Sequence, residues 1–217
     1  MPSEQVENYL KNIYKLQHGE GKVSTTVLSE KLQISPASVT EMIKKLADAG
    51  NLKYTPYRGV ELTEQGRRKA LRIIRRHRLW ELFLVEVLQY AWHEIDEEAE
   101  RLEHITSEKL EQRLDAALGF PTKDPHGDVI PTMDGKVIDV QSACLADVKP
   151  GRSVTIARVS DASPEVLKYA TKVGIKLHRK IKVKEKISFD GSLRVEIGGE
   201  EQFISEKLSH YIFVEPA

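Results

Sequence analysis

The sequence predicts an α+β chain of several domains, and three observations carry that expectation. Residues 1–73 alternate short amphipathic helices with a two-stranded hairpin, residues 74–140 read as helices rich in acids, and residues 141–217 carry runs in which apolar and polar residues alternate. These predict an N-terminal winged helix-turn-helix, a helical dimerisation domain and a C-terminal small β-barrel. A length of 217 residues with 40% hydrophobic and 30% charged side chains is enough for two or three small cores.

The first module is read from "VSTTVLSEKLQISPASVTEMIKKLADAGNLKYTPYRGVELTEQG". Thr25 or Thr26 is placed to cap a short helix carrying Val27, Leu28 and Leu32, and Gln33-Ile34-Ser35 makes the turn. Ser35 then caps a second helix with Pro36 at its first position, where a missing N–H costs nothing. That helix is expected to bury Val39, Met42, Ile43 and Leu46 and to end near Gly50. Strands follow at 52–54 and 60–62, joined by a tip of Pro56, Tyr57, Arg58 and Gly59.

Such a module reads DNA when the N-terminal face of its second helix enters a major groove. Here that face carries Ser35, Ala37, Ser38, Thr40 and Glu41, short enough to approach base edges, while Lys44, Lys45 and Arg58 are placed to hold phosphates. The stretch "GRRKALRIIRRHR" is either a second phosphate-facing fringe or a solvated helix face.

Net charge is zero, but the charge is segregated. Residues 1–79 hold 15 Lys and Arg against 8 Asp and Glu, residues 80–118 hold 3 against 11, and residues 119–217 hold 15 against 14. A basic segment suits a polyanion and an acidic one suits a cation.

From Thr63 to about Tyr90 the pattern is one long helix whose later part, "LWELFLVEVL", is apolar nearly all round. Such a helix needs cover on more than one side. Either a second copy of the chain supplies it, with Trp80, Phe83, Leu84 and Val87 at a two-fold interface, or an internal core does.

His77 and Glu81 lie one turn apart on this helix, and the next, "DEEAERLEHI", adds Asp96, Glu100, Glu103 and His104. With Ala99, Leu102 and Ile105 as the expected packed side, Glu100, Glu103 and His104 share one patch of helix surface. Crowded carboxylates repel. Either the patch is a solvated face or a divalent cation offsets the repulsion; mixed oxygen and nitrogen ligands without thiolate suit Mn²⁺, Fe²⁺ or Zn²⁺.

The stretch "GFPTKDPHGDVIPTMDGK" works as a connection, rich in Pro, Gly and Asp. Beyond it "SVTIARVS", "KIKVKEKI" and "LRVEIGG" alternate as half-buried strands, and Ser163-Pro164 opens a helix through Lys172 that Gly174 closes. His178 and His210 are expected to be surface or packing residues, and Cys144, the single cysteine, a small buried hydrophobe.

The ordered motifs "ENYLKNIYKL", "YRGVELTEQG", "HRLWELFL", "DEEAERLEHITSEKLEQRL" and "DPHGDVIP" resemble the diphtheria-toxin-repressor family of metal-dependent transcriptional regulators, particularly its manganese-transport-regulator branch. The similarity covers residues 4–131, and from about 145 onward the chain is similar to the SH3-like domain of longer members. The resemblance implies three parts: a DNA-binding domain over 1–73, a dimerisation and metal-binding domain over 74–140, and an SH3-like, FeoA-like domain over 141–217.

It further implies a homodimer that binds operator DNA when loaded with Mn²⁺ or Fe²⁺ (with Zn²⁺ or Co²⁺ as in vitro substitutes) and that represses metal-uptake genes. The primary ligands fall at Asn8, Glu100, Glu103 and His104, and an ancillary set at His77, Glu81 and Asp96. The C-terminal ancillary positions fall on Ser163 and Val166, with Asp161 or Glu165 as substitutes. Asn8 stands where manganese-responsive members carry Asp, and Lys11 where the short ones carry Glu; a cation beside Lys11 would be repelled.

Other classes are less well served. A winged-helix regulator answering a small organic ligand would leave the acidic cluster solvated. A metallohydrolase would want an open coordination position, and the chain has neither a nucleophile elbow nor HExxH. The N-terminus lacks a secretory pattern and no apolar run nears the roughly 20 residues of a bilayer span, so a cytoplasmic protein with neither membrane nor organic cofactor is expected.

Overall fold

The structure, a computed structural model, describes residues 3–56, 58–138 and 142–217, with backbone alone at 18–20. Tyr57 of the expected wing tip, and the expected boundary at 140/141, lie outside the described residues. The chain forms two compact units: the first is Met1–Trp80 with Glu100–Arg113 and Ile130–Val137, the second Glu81–Ala99 with Leu114–Val129 and Ile138–Ala217. The helical middle segment is thus divided between them.

In the first unit, α1 (Glu4–Glu20) starts where the Ser3 hydroxyl accepts from the Val6 amide. Helices α2 (Thr25–Leu32) and α3 (Pro36–Asp48) follow, then the hairpin β1 (Leu52–Thr55) and β2 (Gly59–Leu62), paired antiparallel with Leu52 opposite Leu62. Ser35 caps α3 through the Ser38 amide at 3.3 Å, with Pro36 in its first turn, as expected.

Two details differ. Ser24 rather than Thr25 or Thr26 caps α2, because its extended backbone aims the hydroxyl at the Val27 amide 3.1 Å away. Val27 is left exposed, and Met42 is only half-buried, while Leu28, Val39, Ile43 and Leu46 enter a core with Tyr9, Leu10 and Ile13 of α1.

Gly59 sits at φ 92°, and a Cβ there would lie 2.5 Å from the Val23 carbonyl oxygen, so the wing is held against the chain leading into α2 by a residue that must be glycine.

Helix α4 spans Glu64–Glu86, ending short of Tyr90 because the Val87 and Leu88 amides both turn back to the Phe83 carbonyl. Helices α5 (Asp96–Ile105) and α6 (Glu108–Ala117) complete the helical part. Of the expected interface residues, Leu84 is buried, Trp80 and Phe83 are half-buried and Val87 is exposed. The Trp80 indole N–H donates to Thr106 Oγ1 at 2.7 Å.

The second unit holds a six-stranded antiparallel sheet ordered β3-β8-β4-β5-β6-β7, made of β3 (Ala143–Cys144), β4 (Ser153–Val159), β5 (Lys180–Lys186), β6 (Leu193–Ile197), β7 (Glu200–Ile204) and β8 (Ile212–Pro216). Its alternating apolar residues, among them Ile156, Ile181, Val183, Val195 and Val214, form one core with Leu167 and Ala170 of α7 (Pro164–Lys172). A short α8 (Glu206–Ser209) leads into β8. Cys144 is half-buried, close to the Ser209 carbonyl, rather than fully enclosed. Among the described residues no helix is long and apolar enough to cross a membrane.

Candidate metal centre

Helix α5 does not pack as its apolar residues suggest. Ile105 is 74% exposed, whereas Ile95, Ala99, Glu103 and Thr106 form the buried stripe, each within 0% exposure. The expected packed side, Ala99 with Leu102 and Ile105, is corrected to that extent. A carboxylate replaces the isoleucine because two polar partners wait for it: charge pairing and hydrogen bonds offset the desolvation that otherwise keeps acids out of cores.

Those partners come from α1 and α4. Lys11 Nζ lies 2.5 Å from Glu103 Oε1 and 2.5 Å from Glu100 Oε2, and is itself 3% exposed. His77 Nδ1 donates to Glu103 Oε2 at 2.6 Å and stands 3.9 Å from Glu100 Oε2. Burial pushes the Glu103 carboxyl upward, but its hydrogen bond to His77 and the charges of His77 and Lys11 outweigh that and hold it below the usual range. Burial pulls the Lys11 ammonium down, and the Glu103 and Glu100 charges more than restore it, leaving it raised.

His104, one residue on, faces α1. Its Nδ1 donates to Glu7 Oε2 at 2.7 Å, and both side chains are nearly enclosed, at 6% and 9%. With Nδ1 engaged by Glu7, Nε2 is the ring nitrogen left to meet an ion; it lies 3.5 Å from Glu103 Oε1 and is buried without a hydrogen-bond partner. Asn8 Oδ1, on the same turn of α1 as Glu7, is likewise buried with no partner. Two buried ligand atoms, an imidazole nitrogen and an amide oxygen, thus lack partners, the first of them next to Glu103. An imidazole nitrogen, an amide oxygen and carboxylates are donors that a divalent cation accepts, so the chemistry of the set fits one.

Sequence reasoning did not find Glu7, whose side chain orients His104. A lone glutamate 97 residues from its partner carries no periodic signal; only its adjacency to Asn8 points to it.

Each of the expected ancillary residues has its own surroundings. His77 is bonded to Glu103, Glu81 is 1% exposed in the second unit, and Asp96 is exposed at the start of α5. Within the second unit Glu81 meets Asp124 and His126, all buried, with one ligand atom of each within 4.8 Å of the others. His126 Nε2 donates to the Trp92 carbonyl at 2.8 Å, and its Nδ1, 3.8 Å from Glu81 Oε1, has no hydrogen-bond partner.

Burial lowers the His126 pKa, but the charges of Glu81 and Asp124, the Trp92 carbonyl and the Asp161 charge raise it overall. Asp124 Oδ1 accepts from the amides of His126 and Asp128, both at 2.9 Å, which folds "DPHGD" into a rigid turn. Gly127 enables it at φ 91°, where a Cβ would meet the Ala157 carbonyl oxygen at 2.2 Å. Read as a connection, this stretch holds three ionisable side chains in five residues, the one signal that marks it as more.

Ser163 and Val166 are engaged with each other, the Ser163 hydroxyl accepting from the Val166 amide to cap α7, and Glu165 is exposed beside them.

On α3, Ser35, Ala37, Ser38, Glu41, Lys44 and Lys45 are exposed and Thr40 is half-buried, with Arg58 exposed in the wing. Lys45 pairs with Glu41 at 2.8 Å, so its charge is partly spent along the helix. The Thr40 hydroxyl donates to the Pro36 carbonyl at 2.8 Å.

Three family models match in order. They are described as "Iron dependent repressor, N-terminal DNA binding domain" over residues 1–60, "Iron dependent repressor, metal binding and dimerisation domain" over 63–132, and "FeoA domain" over 143–216. Among solved structures, a manganese-dependent transcriptional repressor in complex with manganese is 40% identical, with 98% of this chain and 100% of that one aligned at a TM-score of 0.88. The iron-dependent repressor IdeR of Mycobacterium leprae (strain TN) is 32% identical over 158 residues, which is 73% of this chain and 67% of that protein. The diphtheria toxin repressor of Corynebacterium glutamicum is 26% identical over 220 residues, 96% of this chain and 95% of its own. On these matches and the three-part architecture, the chain belongs to the family of iron- and manganese-dependent transcriptional repressors.

Proposed function

We propose that Asn8, Glu100, Glu103 and His104 hold a Mn²⁺ or Fe²⁺ ion that makes this repressor competent to bind its operator. The observation that carries the reading is the pair of buried, unpartnered ligand atoms, Asn8 Oδ1 on α1 and His104 Nε2 on α5, the latter 3.5 Å from Glu103 Oε1. Manganese is favoured: the donors are oxygens and one imidazole, without thiolate, and the 40%-identical repressor is described with manganese. The ion supplies a divalent positive charge to which all four donors are attracted.

The residues themselves do the coupling. Asn8 belongs to α1, whose Tyr9, Leu10 and Ile13 share a core with Ile43 and Leu46 of α3, so fixing α1 against α5 fixes the DNA-reading helix. Glu7 holds the His104 ring with Nε2 toward the site. In a homodimer, two such helices read successive major grooves, ~34 Å apart for one helical turn. Ser35, Ala37, Ser38, Thr40 and Glu41 approach base edges, and Lys44, Lys45 and Arg58 contact phosphates. The three domains run 1–73, 74–140 and 141–217, and the regulated genes include uptake systems for the sensed metal.

Glu81 with Asp124 and His126 forms a second cation site, since Nδ1 of His126 is buried without a partner between two acids. His77 and Asp96 are the other ancillary candidates on sequence grounds.

The test is operator affinity by gel shift in chelator and in saturating Mn²⁺. The expected result is tighter binding with the ion by about 5- to 150-fold, the usual range of coupling between sites. Equal affinity in both would remove the cation's role and favour a regulator answering another ligand.

A further inference from the structure

We infer that Lys11 is a resident cation: its ammonium occupies the seat that His77, Glu100 and Glu103 would otherwise offer to a metal ion. This rests on the primary-site reading above and goes beyond it. His77, Glu100 and Glu103 each present a ligand atom within 4.8 Å of the others, a geometry that could hold an ion. Instead the Lys11 Nζ sits 2.5 Å from a carboxylate oxygen of each glutamate. The side chain is 3% exposed and Glu103 is 0% exposed, so the contact with Glu103 is built into the interior, while Glu100, 41% exposed, closes it from the solvent side.

Two consequences follow from charge and connectivity. An ion seated among His77, Glu100 and Glu103 would face an ammonium that cannot diffuse away, because it is tethered to α1; that triad therefore takes its cation from the chain. The same tether latches α1 to α5 without metal, since one end of the pair is on each helix. Metal binding then refines a preformed contact and does not have to assemble α1 and α5 from separated parts.

Lys11→Gln removes the charge while keeping a hydrogen-bonding side chain; Lys11→Arg keeps the charge. Protein purified with Mn²⁺ is counted for ions per protomer by native mass spectrometry, and each variant is melted in chelator. The expected result is one more Mn²⁺ per protomer in Lys11→Gln than in the native chain, no gain in Lys11→Arg, and a melting temperature for Lys11→Gln in chelator lower by about 10 °C.

An unchanged ion count in Lys11→Gln overturns the inference whatever its melting temperature. Counting the protein purified with metal keeps the test decisive even if the chelated variant unfolds. Glu103→Gln combined with His104→Ala separates this from the underlying reading: if that double variant binds as many ions as the native chain, the primary site fails, whereas a lower count there with no gain in Lys11→Gln sinks only the role of Lys11.

Discussion

Glu103→Gln combined with His104→Ala will bring operator affinity in saturating Mn²⁺ down to the value measured in chelator, erasing a difference of about 5- to 150-fold. Two losses combine. His104→Ala removes the Nε2 lone pair that Glu7 holds in place, and Glu103→Gln replaces the fully buried carboxylate that receives Lys11 and His77. Neither residue lies on α3 or in the wing, so a change in DNA binding reports coupling and not lost contact with DNA. Binding in chelator should stay near the native chelated level if the fold is intact, which circular dichroism checks. Native metal dependence in the double variant would mean that the ion acts elsewhere.

The largest effect on stability is expected from Glu111→Gln. Glu111 on α6 is 1% exposed and receives three arginines of α4: Arg76 Nε at 2.9 Å, Arg75 Nε at 3.4 Å and Arg72 Nε at 3.6 Å. Arg75 and Arg76 are nearly enclosed, at 6% and 9%, and Arg75 also donates to the Pro131 carbonyl at 2.8 Å. Removing the carboxylate takes from the buried Arg76 the counter-charge at 2.9 Å and from Arg75 and Arg72 a nearby one, and breaking such an arrangement costs about 3–5 kcal/mol. Urea unfolding at fixed protomer concentration, in chelator, should show that loss as a lower midpoint with unchanged slope. A loss below about 1 kcal/mol would mean that Pro131 and solvent already satisfy the arginines.

How much of this the sequence made legible follows from which signals are local. The helix-turn-helix and wing were readable because caps, the N-terminal proline and the apolar spacing of Val39, Ile43 and Leu46 are all set within a few residues. The end of α4 was not, because the turn after Phe83 depends on two amides returning to one carbonyl, with no Gly or Pro to mark it.

In the site, the patch of Glu100, Glu103 and His104 was legible from helical spacing, but its orientation was not. Apolar periodicity places Ile105 inside; the partners that draw Glu103 inward, Lys11 and His77, are 92 and 26 residues away. The cluster of Asp124 and His126 with Glu81 was hidden for a different reason. It rests on an Asp-capped turn, and turn composition reads as connection whether or not its side chains converge.

The central claim is that Asn8 of α1 and Glu100, Glu103 and His104 of α5 together hold a divalent ion. Anomalous diffraction from crystals grown in Mn²⁺, recorded above and below the manganese absorption edge, tests it most directly. The account predicts an edge-dependent peak bonded to His104 Nε2 and to carboxylate oxygen, with the Asn8 amide oxygen completing the set. A map with no such peak there, and with Asn8 Oδ1 and His104 Nε2 still unpartnered, would contradict it.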